Sequence, residues 1–298
     1  MTAARPQTVN DLYLSSTFNP HSLSIYHLGV YFEEDTLLLG ISNVQDELLF
    51  LRQYKNRDGL EPSKFLDAIW NQDDYFRKRF AQVLLLLGAN KWMPIPAEYV
   101  PDGMEGSYLS VYYEIGEGAL SHYRVRKDVI RGTGAAIGYA IEGNVADFIS
   151  ARLSQATTLH LASRYIEMTR ALSLKPLGQQ PFTGVVWLYM NKFYYVLFQG
   201  ERLILVNQYT ALTAEDVMYY LQGIHNQLGI AKNNLLIGVA GYSVLKPYVA
   251  TLLYRFFGTG YRDLGKLFPA ASSLKEAGLG AEDTLFLTFW TRGADSAG

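Results

Sequence analysis

Three short stretches carry residue types that could do chemistry. Gly260-Tyr-Arg-Asp-Leu-Gly265-Lys266 fills the first seven positions of a phosphate-binding P-loop. The eighth is Leu267, where magnesium needs a Ser or Thr hydroxyl, and the segment follows a helical pattern rather than a strand. It reads as a turn. Gly241-Tyr-Ser243-Val-Leu245 begins like a nucleophile elbow, but Leu245 replaces the closing glycine. The hydrolase order also needs a histidine after the serine, and the last one, His225, precedes it. Gly132-Thr-Gly134 with Gly138 echoes a dinucleotide fingerprint at the wrong spacing and reads as a turn as well.

Other chemistries fail earlier. The 298 residues contain no cysteine, which removes disulfides, a thiol nucleophile and thiolate metal sites. None of the five histidines, His21, His27, His122, His160 and His225, has a partner at HxH or HxxxH spacing, so no metal site is expected. Lys and Arg number 26 against 28 Asp and Glu. A balance so close to neutral gives no field to draw in nucleic acid. The start is polar, without the apolar core of a secretory signal. The longest aliphatic run, 83–87, is far shorter than the ~20 residues that span a bilayer. The expectation is a cytoplasmic protein with no membrane span.

The elements that must position any site follow from periodicity. Residues 1–20 read as a poorly ordered lead-in. Strands are expected over 24–32, 36–41 and 47–53, the first two joined by the acidic tip Glu33-Glu34-Asp35. Pro62 suits the first turn of a helix, and Phe65, Leu66, Ile69 and Trp70 fall at helical spacing. The apolar run 81–87 suits a buried parallel strand. The same order returns with strands over 183–190, 193–199 and 202–208. Thr213 then offers an N-cap with Asp216 three residues on, and Val217, Leu221, Ile224 and Leu228 form a helical stripe. A buried strand over 235–240 and a helix over 244–257, closed by Gly258, complete it. Between the copies lie a Pro-rich turn at 92–96, helices near 106–115, 144–154 and 161–172, strands over 121–129 and 135–141, and a linker over 175–181. One more apolar strand is expected over 284–290.

Leu48-Leu-Phe-Leu-Arg-Gln-Tyr54 aligns with Leu203-Ile-Leu-Val-Asn-Gln-Tyr209 at an offset of 155, and 28–32 aligns with 185–189 at 157 in apolar character. Near-constant offsets across the same order of elements argue for an internal duplication. The expected organisation is a first unit over 21–180, with an insertion near 97–142, and a second over 181–298. Three antiparallel strands, a helix and a parallel strand open the ribonuclease H-like unit, and two in tandem make an actin-like α/β fold with mixed sheets and helices on their faces. With Phe18-Asn-Pro20, Met93-Pro-Ile-Pro96 and Ala240-Gly-Tyr-Ser243, the chain resembles a bacterial family of unknown function with a duplicated actin-like ATPase architecture. That family is distantly similar to actin-like proteins of pilus assembly and cell division.

The resemblance implies where ATP would bind: at two hairpin tips whose glycine and aspartate handle phosphate and magnesium, and at a turn on the adenosine side. Those positions would be Glu33, Glu34 and Asp35 in the first unit, and Asn191, Lys192, Gly241 and Ser243 in the second. The first tip has no glycine, and its three carboxylates would repel phosphate unless a metal intervened. The second has neither glycine nor aspartate; Lys192 could meet a phosphate, or be an ordinary turn lysine. Gly241 and Ser243 suit an anion at a helix N-terminus, or simply a turn and a helix cap. A ribonuclease H-type nuclease needs a carboxylate within the first strand, and neither 24–32 nor 183–190 has one. The reading is thus a pseudo-ATPase without cofactor, tilted away from an enzyme, that acts as an interaction or scaffold module. The alternative is a nucleotide-binding protein or ATPase with altered phosphate loops, using ATP and magnesium. Of the 22 tyrosines, those near Trp187 belong mostly to core packing. The remainder of the signal, in Trp187, Tyr189, Tyr194 and Tyr195, is expected to mark an interface with a protein partner or a second copy.

Overall fold

The computed structural model describes residues 8–98, 101, 103–113, 121–175, 178–267, 274 and 279–288. In chain order the elements are β1 (Thr8–Leu14), β2 (His27–Glu33), β3 (Thr36–Ser42), β4 (Leu48–Lys55), α1 (Pro62–Gln72), α2 (Asp74–Arg77), β5 (Gln82–Leu87), β6 (Trp92–Pro96), α3 (Glu105–Tyr112), β7 (Tyr123–Ile130), β8 (Ala135–Glu142), α4 (Gly143–Arg152), β9 (Thr157–His160) and α5 (Leu161–Ser173). There follow β10 (Phe182–Tyr189), β11 (Lys192–Gln199), β12 (Arg202–Thr210), α6 (Ala214–Leu228), β13 (Leu235–Tyr242), α7 (Lys246–Phe257) and β14 (Tyr261–Arg262).

Among the described residues, those of 8–163 with 287–288 form one compact unit, and those of 164–286 another. The boundary falls inside α5 rather than near 180, because α5 builds part of the second core. There Tyr165 stacks on Trp187 at 4.9 Å, and the Trp187 indole N–H donates to Thr169 Oγ1 at 2.9 Å.

The first unit holds a six-stranded sheet in the order β1-β4-β3-β2-β5-β9. β2, β3 and β4 are mutually antiparallel, and β5 and β9 run parallel beside β2. All seven residues of β3 are buried, as expected of a strand covered on both faces. A separate three-stranded sheet, β6-β8-β7, draws β7 and β8 from the expected insertion and β6 from the residues just before it. The second unit's sheet is β12-β11-β10-β13-β14. Its first three strands are antiparallel and its last two parallel, so it repeats the order and senses of β4-β3-β2-β5-β9.

The sequence reading does not contain α2, β9 or β14, the last of which lies inside the segment 260–266 read as a turn, and three further elements differ from it. Part of the expected lead-in is β1, which pairs antiparallel with β4 from Thr8↔Lys55 to Leu14↔Phe50; residues 1–7 lie outside the described residues. The Arg52 guanidinium bonds the Asp11 carboxylate across that pair. The Pro-rich turn at 92–96 is the edge strand β6, where Pro94 and Pro96 are exposed and the missing N–H groups cost no ladder bond. The apolar run expected as a strand over 284–290 begins helically, with a helical turn over Ala281–Thr284 and a 3-10 turn over Leu285–Leu287; 289–290 lie outside the described residues. Leu287 packs directly on β2, where a Cβ at Gly29 would lie 2.0 Å from the Leu287 carbonyl oxygen.

The elements that flank the hairpins are built as their sequences dictate. α6 opens on a capping box: Thr213 Oγ1 accepts from Asp216 N–H at 3.1 Å, and the Asp216 carboxylate accepts from Thr213 N–H at 2.9 Å. Val217, Leu221 and Met218 face the second core, packed with α7 residues Val249 and Leu253. No helix among the described residues is long and apolar enough to cross a membrane.

Candidate functional site

The two hairpin tips sit at equivalent ends of the two sheets. In the first, Glu33 pairs with Thr36 around a two-residue turn, Glu34-Asp35. All three carboxylates are engaged locally. Glu33 accepts from Tyr31 Oη–H at 2.7 Å, Glu34 from Asn90 Nδ2–H at 2.8 Å and Asp35 from Thr36 Oγ1–H at 2.8 Å. Lys55 Nζ donates to Thr36 Oγ1 at 2.6 Å. Burial pulls the Lys55 pKa down, against the opposing fields of Asp35 and Glu33. The adjoining cavity, lined by Phe32, Glu33, Glu34, Leu87 and Asn90, has about 80 Å³. That is below the ~300–1,000 Å³ of small-molecule sites. Among the described residues, no group of three His, Cys, Asp or Glu could hold a metal ion.

The second tip is the two-residue turn Met190-Asn191 between Tyr189 and Lys192. Met190 has φ +52°, a conformation that side-chain-bearing residues seldom adopt. It is held from both sides. Met190 N–H donates to the Tyr242 carbonyl at 3.1 Å, and Ser243 Oγ–H donates to the Met190 carbonyl at 2.7 Å. Ala211 N–H donates to the Asn191 carbonyl at 2.8 Å. Ser243 Oγ also accepts from Leu245 N–H at 3.2 Å, which caps the turn before α7. α7 therefore begins at Lys246, two residues later than the sequence pattern placed it. Gly241 has φ +103°, and a Cβ there would lie 2.0 Å from the Leu188 carbonyl oxygen, so the β10–β13 contact admits glycine alone.

Thus Asn191, Gly241 and Ser243 come together, and with Met190, Leu212 and Tyr248 they line a pocket of about 870 Å³. Lys192 opens β11, half-buried, and does not line it. The pocket's one lysine is Lys246, whose ammonium is taken by Asp283 and, at 2.9 Å, by Glu282. Burial opposes the Lys246 charge, but the two carboxylates hold its pKa above the ordinary value. Burial raises the Asp283 pKa, with Lys246 pulling the other way.

The four aromatics expected at an interface are core residues instead. Trp187, Tyr189, Tyr194 and Tyr195 are all at most 3% exposed. They lie on β10 and β11, central strands covered on both faces; Tyr195 Oη, for example, meets His225 Nε2 at 2.8 Å. The exposed apolar residues beside the pocket are others: Leu212, Val244 and Tyr248, at 73%, 85% and 66%. A sequence signal existed for Leu212. It stands just before the N-cap Thr213, where an apolar residue normally folds back on the helix as a staple, and here it faces solvent.

Residues 15–259 match the model of a family described as protein of unknown function, DUF3822. No curated protein sequence matches significantly. Among solved structures, the fold is similar to that of a Bacteroides thetaiotaomicron protein with an actin-like ATPase fold and unknown function. The TM-score is 0.70 at 14% identity over 87% of this chain and 98% of that one. It is also similar to the PilM–PilN type IV pilus biogenesis complex, with TM-score 0.53 at 14% identity over 92% of this chain and 99% of that one. The fold is actin-like.

Proposed function

Since the chain belongs to the DUF3822 family of unknown function, its site must speak for itself, and we propose a non-catalytic, pseudo-ATPase module that binds a protein partner. The observation that carries this is the second hairpin tip. A phosphate loop presents unsatisfied backbone N–H groups to its anion. Here Met190 N–H is spent on Tyr242 and the Met190 carbonyl on Ser243, and the tip has no carboxylate for magnesium. The pocket beside it is bordered by exposed Leu212, Val244 and Tyr248, a surface suited to an apolar protein segment rather than a triphosphate. The similarity to a complex of PilM with PilN supports a protein partner. Such a module would work in the bacterial cytoplasm, without nucleic acid.

A second reading has its own observation: the pocket of about 870 Å³ beside Gly241 has room for a nucleotide. Thermal unfolding with and without ATP and magnesium separates the two. Millimolar ATP over a micromolar site adds ~4 kcal/mol of stability. The interaction-module reading expects no shift in Tm. A clear shift, lost when Ser243→Ala and Asn191→Ala, both in the pocket lining, are combined, would overturn it in favour of the nucleotide-binding protein.

A further inference from the structure

At the opposite end of the first unit's sheet from its hairpin tip, four cations converge. Arg77 ends α2, Lys78 and Arg79 follow it, and Arg152 ends α4. With Gln155 they rim a pocket of about 350 Å³ whose floor is apolar: Leu28, Phe76, Val83 and Leu153. Trp70 forms one wall, with the Arg152 guanidinium carbon 5.5 Å from its ring centroid.

The charge around this pocket is not balanced by the protein. Arg77 pairs with Asp74 at 2.6 Å. Among the described residues Lys78, Arg79 and Arg152 make no ion pair. Cations do suit helix C-termini, but each helix end carries only about half a negative charge, and α2 is a single turn. Two helix ends therefore offset about one of the three remaining charges. A surplus of about two positive charges is left in a concave site, on a chain whose net charge is −2.

We propose that this pocket binds a small phosphate monoester as its dianion. The three cations outside an ion pair, with Gln155, hold the phosphate, and the organic group lies on the apolar floor against Trp70. The charge of the ligand follows from the surplus, and its size from the cavity, which lies at the lower end of small-molecule sites. Concavity also favours a soluble ester over a lipid surface, since none of the exposed large apolar residues lines the pocket. The proposal is independent of the hairpin tips and of what binds there.

Phenyl phosphate is a suitable probe, titrated into the full chain by calorimetry with tryptophan fluorescence in parallel. Saturable binding competed by inorganic phosphate is expected, with phenol giving no signal. Arg79→Gln combined with Arg152→Gln should weaken binding at least about tenfold, the lower bound for losing a charge-assisted hydrogen bond. Both side chains are exposed, and an unchanged circular dichroism spectrum and urea midpoint would show that the fold is intact. Lys192→Gln combined with Ser243→Ala should leave the affinity unchanged. No binding at millimolar probe, equal affinity in the arginine variant, or loss in the hairpin variant would each overturn the proposal. So would binding to phosphatidic acid vesicles with no response to either soluble phosphate.

Discussion

His160 should make the first unit acid-sensitive in a way that one substitution can isolate. It ends β9, fully buried, with its ring tilted against Trp92 and Tyr139 at 5.2 Å each. Nδ1 accepts from Ala162 N–H at 3.1 Å and Nε2–H donates to the Ala89 carbonyl at 3.0 Å, which assigns the neutral Nε2–H tautomer. A second proton on Nδ1 would break the Ala162 bond. Burial pulls the pKa from 6.5 down to about 4, the Ala89 carbonyl opposing slightly. The neutral ring is the folded form, so its contribution is complete above the unfolded pKa and is lost as pH falls from 6.5 toward 4. Each tenfold change in proton affinity is worth about 1.4 kcal/mol. Linkage then removes ~2 kcal/mol by pH 5 and ~3 kcal/mol by pH 4.

His160→Asn keeps an acceptor for Ala162 and gives up the titration. Urea unfolding at pH 7.5 and pH 5, followed by tryptophan fluorescence, reads the difference. The wild type should lose ~2 kcal/mol more than the variant over that interval. His225, also buried and pulled down to about 4, is present in both proteins and cancels. An NMR titration of the His160 ring gives the midpoint directly. A midpoint near 6.5, or equal acid losses in the two proteins, would refute the reasoning.

Two further substitutions probe the second unit. Gly241→Ala places a methyl against the Leu188 carbonyl at a positive φ, and should cost about 3 kcal/mol or more in urea unfolding. Lys246→Met leaves Asp283 buried beside Glu282 without its cation, for a loss of about 3 kcal/mol. Adding Asp283→Leu should restore part of that, because the more deeply buried of the two unpaired carboxylates is then gone while Glu282 stays.

The repeated strand–strand–strand–helix–strand order was legible because each element declares itself locally. Seven consecutive buried residues in β3, the Thr213–Asp216 box and Gly258 after α7 are near-neighbour signals. What was missed depends on distant partners. Thr8–Leu14 has no clean alternation and becomes a strand because β4 offers an edge and Arg52 meets Asp11. Trp92–Pro96 carries two prolines that deny a strand in isolation, yet an edge beside β8 tolerates both. The aromatics near Trp187 pack in the core, as most of their signal suggested, and the remaining interface signal was ambiguous for a related reason. Residue type marks Trp187 and Tyr195 equally well for a core or an interface, and only the cover on both faces of β10 and β11 decides between them.

The strongest nucleotide cue in the sequence, Gly241-Tyr-Ser243, changes meaning in the same way. Gly241 is required by the approach of the Leu188 carbonyl, whatever binds nearby. Ser243 is required to join the Met190 carbonyl to the first turn before α7. Neither residue therefore needs a ligand to account for it. A phosphate that took Met190 N–H would have to draw it away from Tyr242, exposing the Tyr242 carbonyl beside an anion. That bond joins two half-buried residues, and its net worth of about 0.5–1.5 kcal/mol is subtracted from any affinity gained that way. An apolar segment lodged against the exposed Leu212, Val244 and Tyr248 would demand no such exchange.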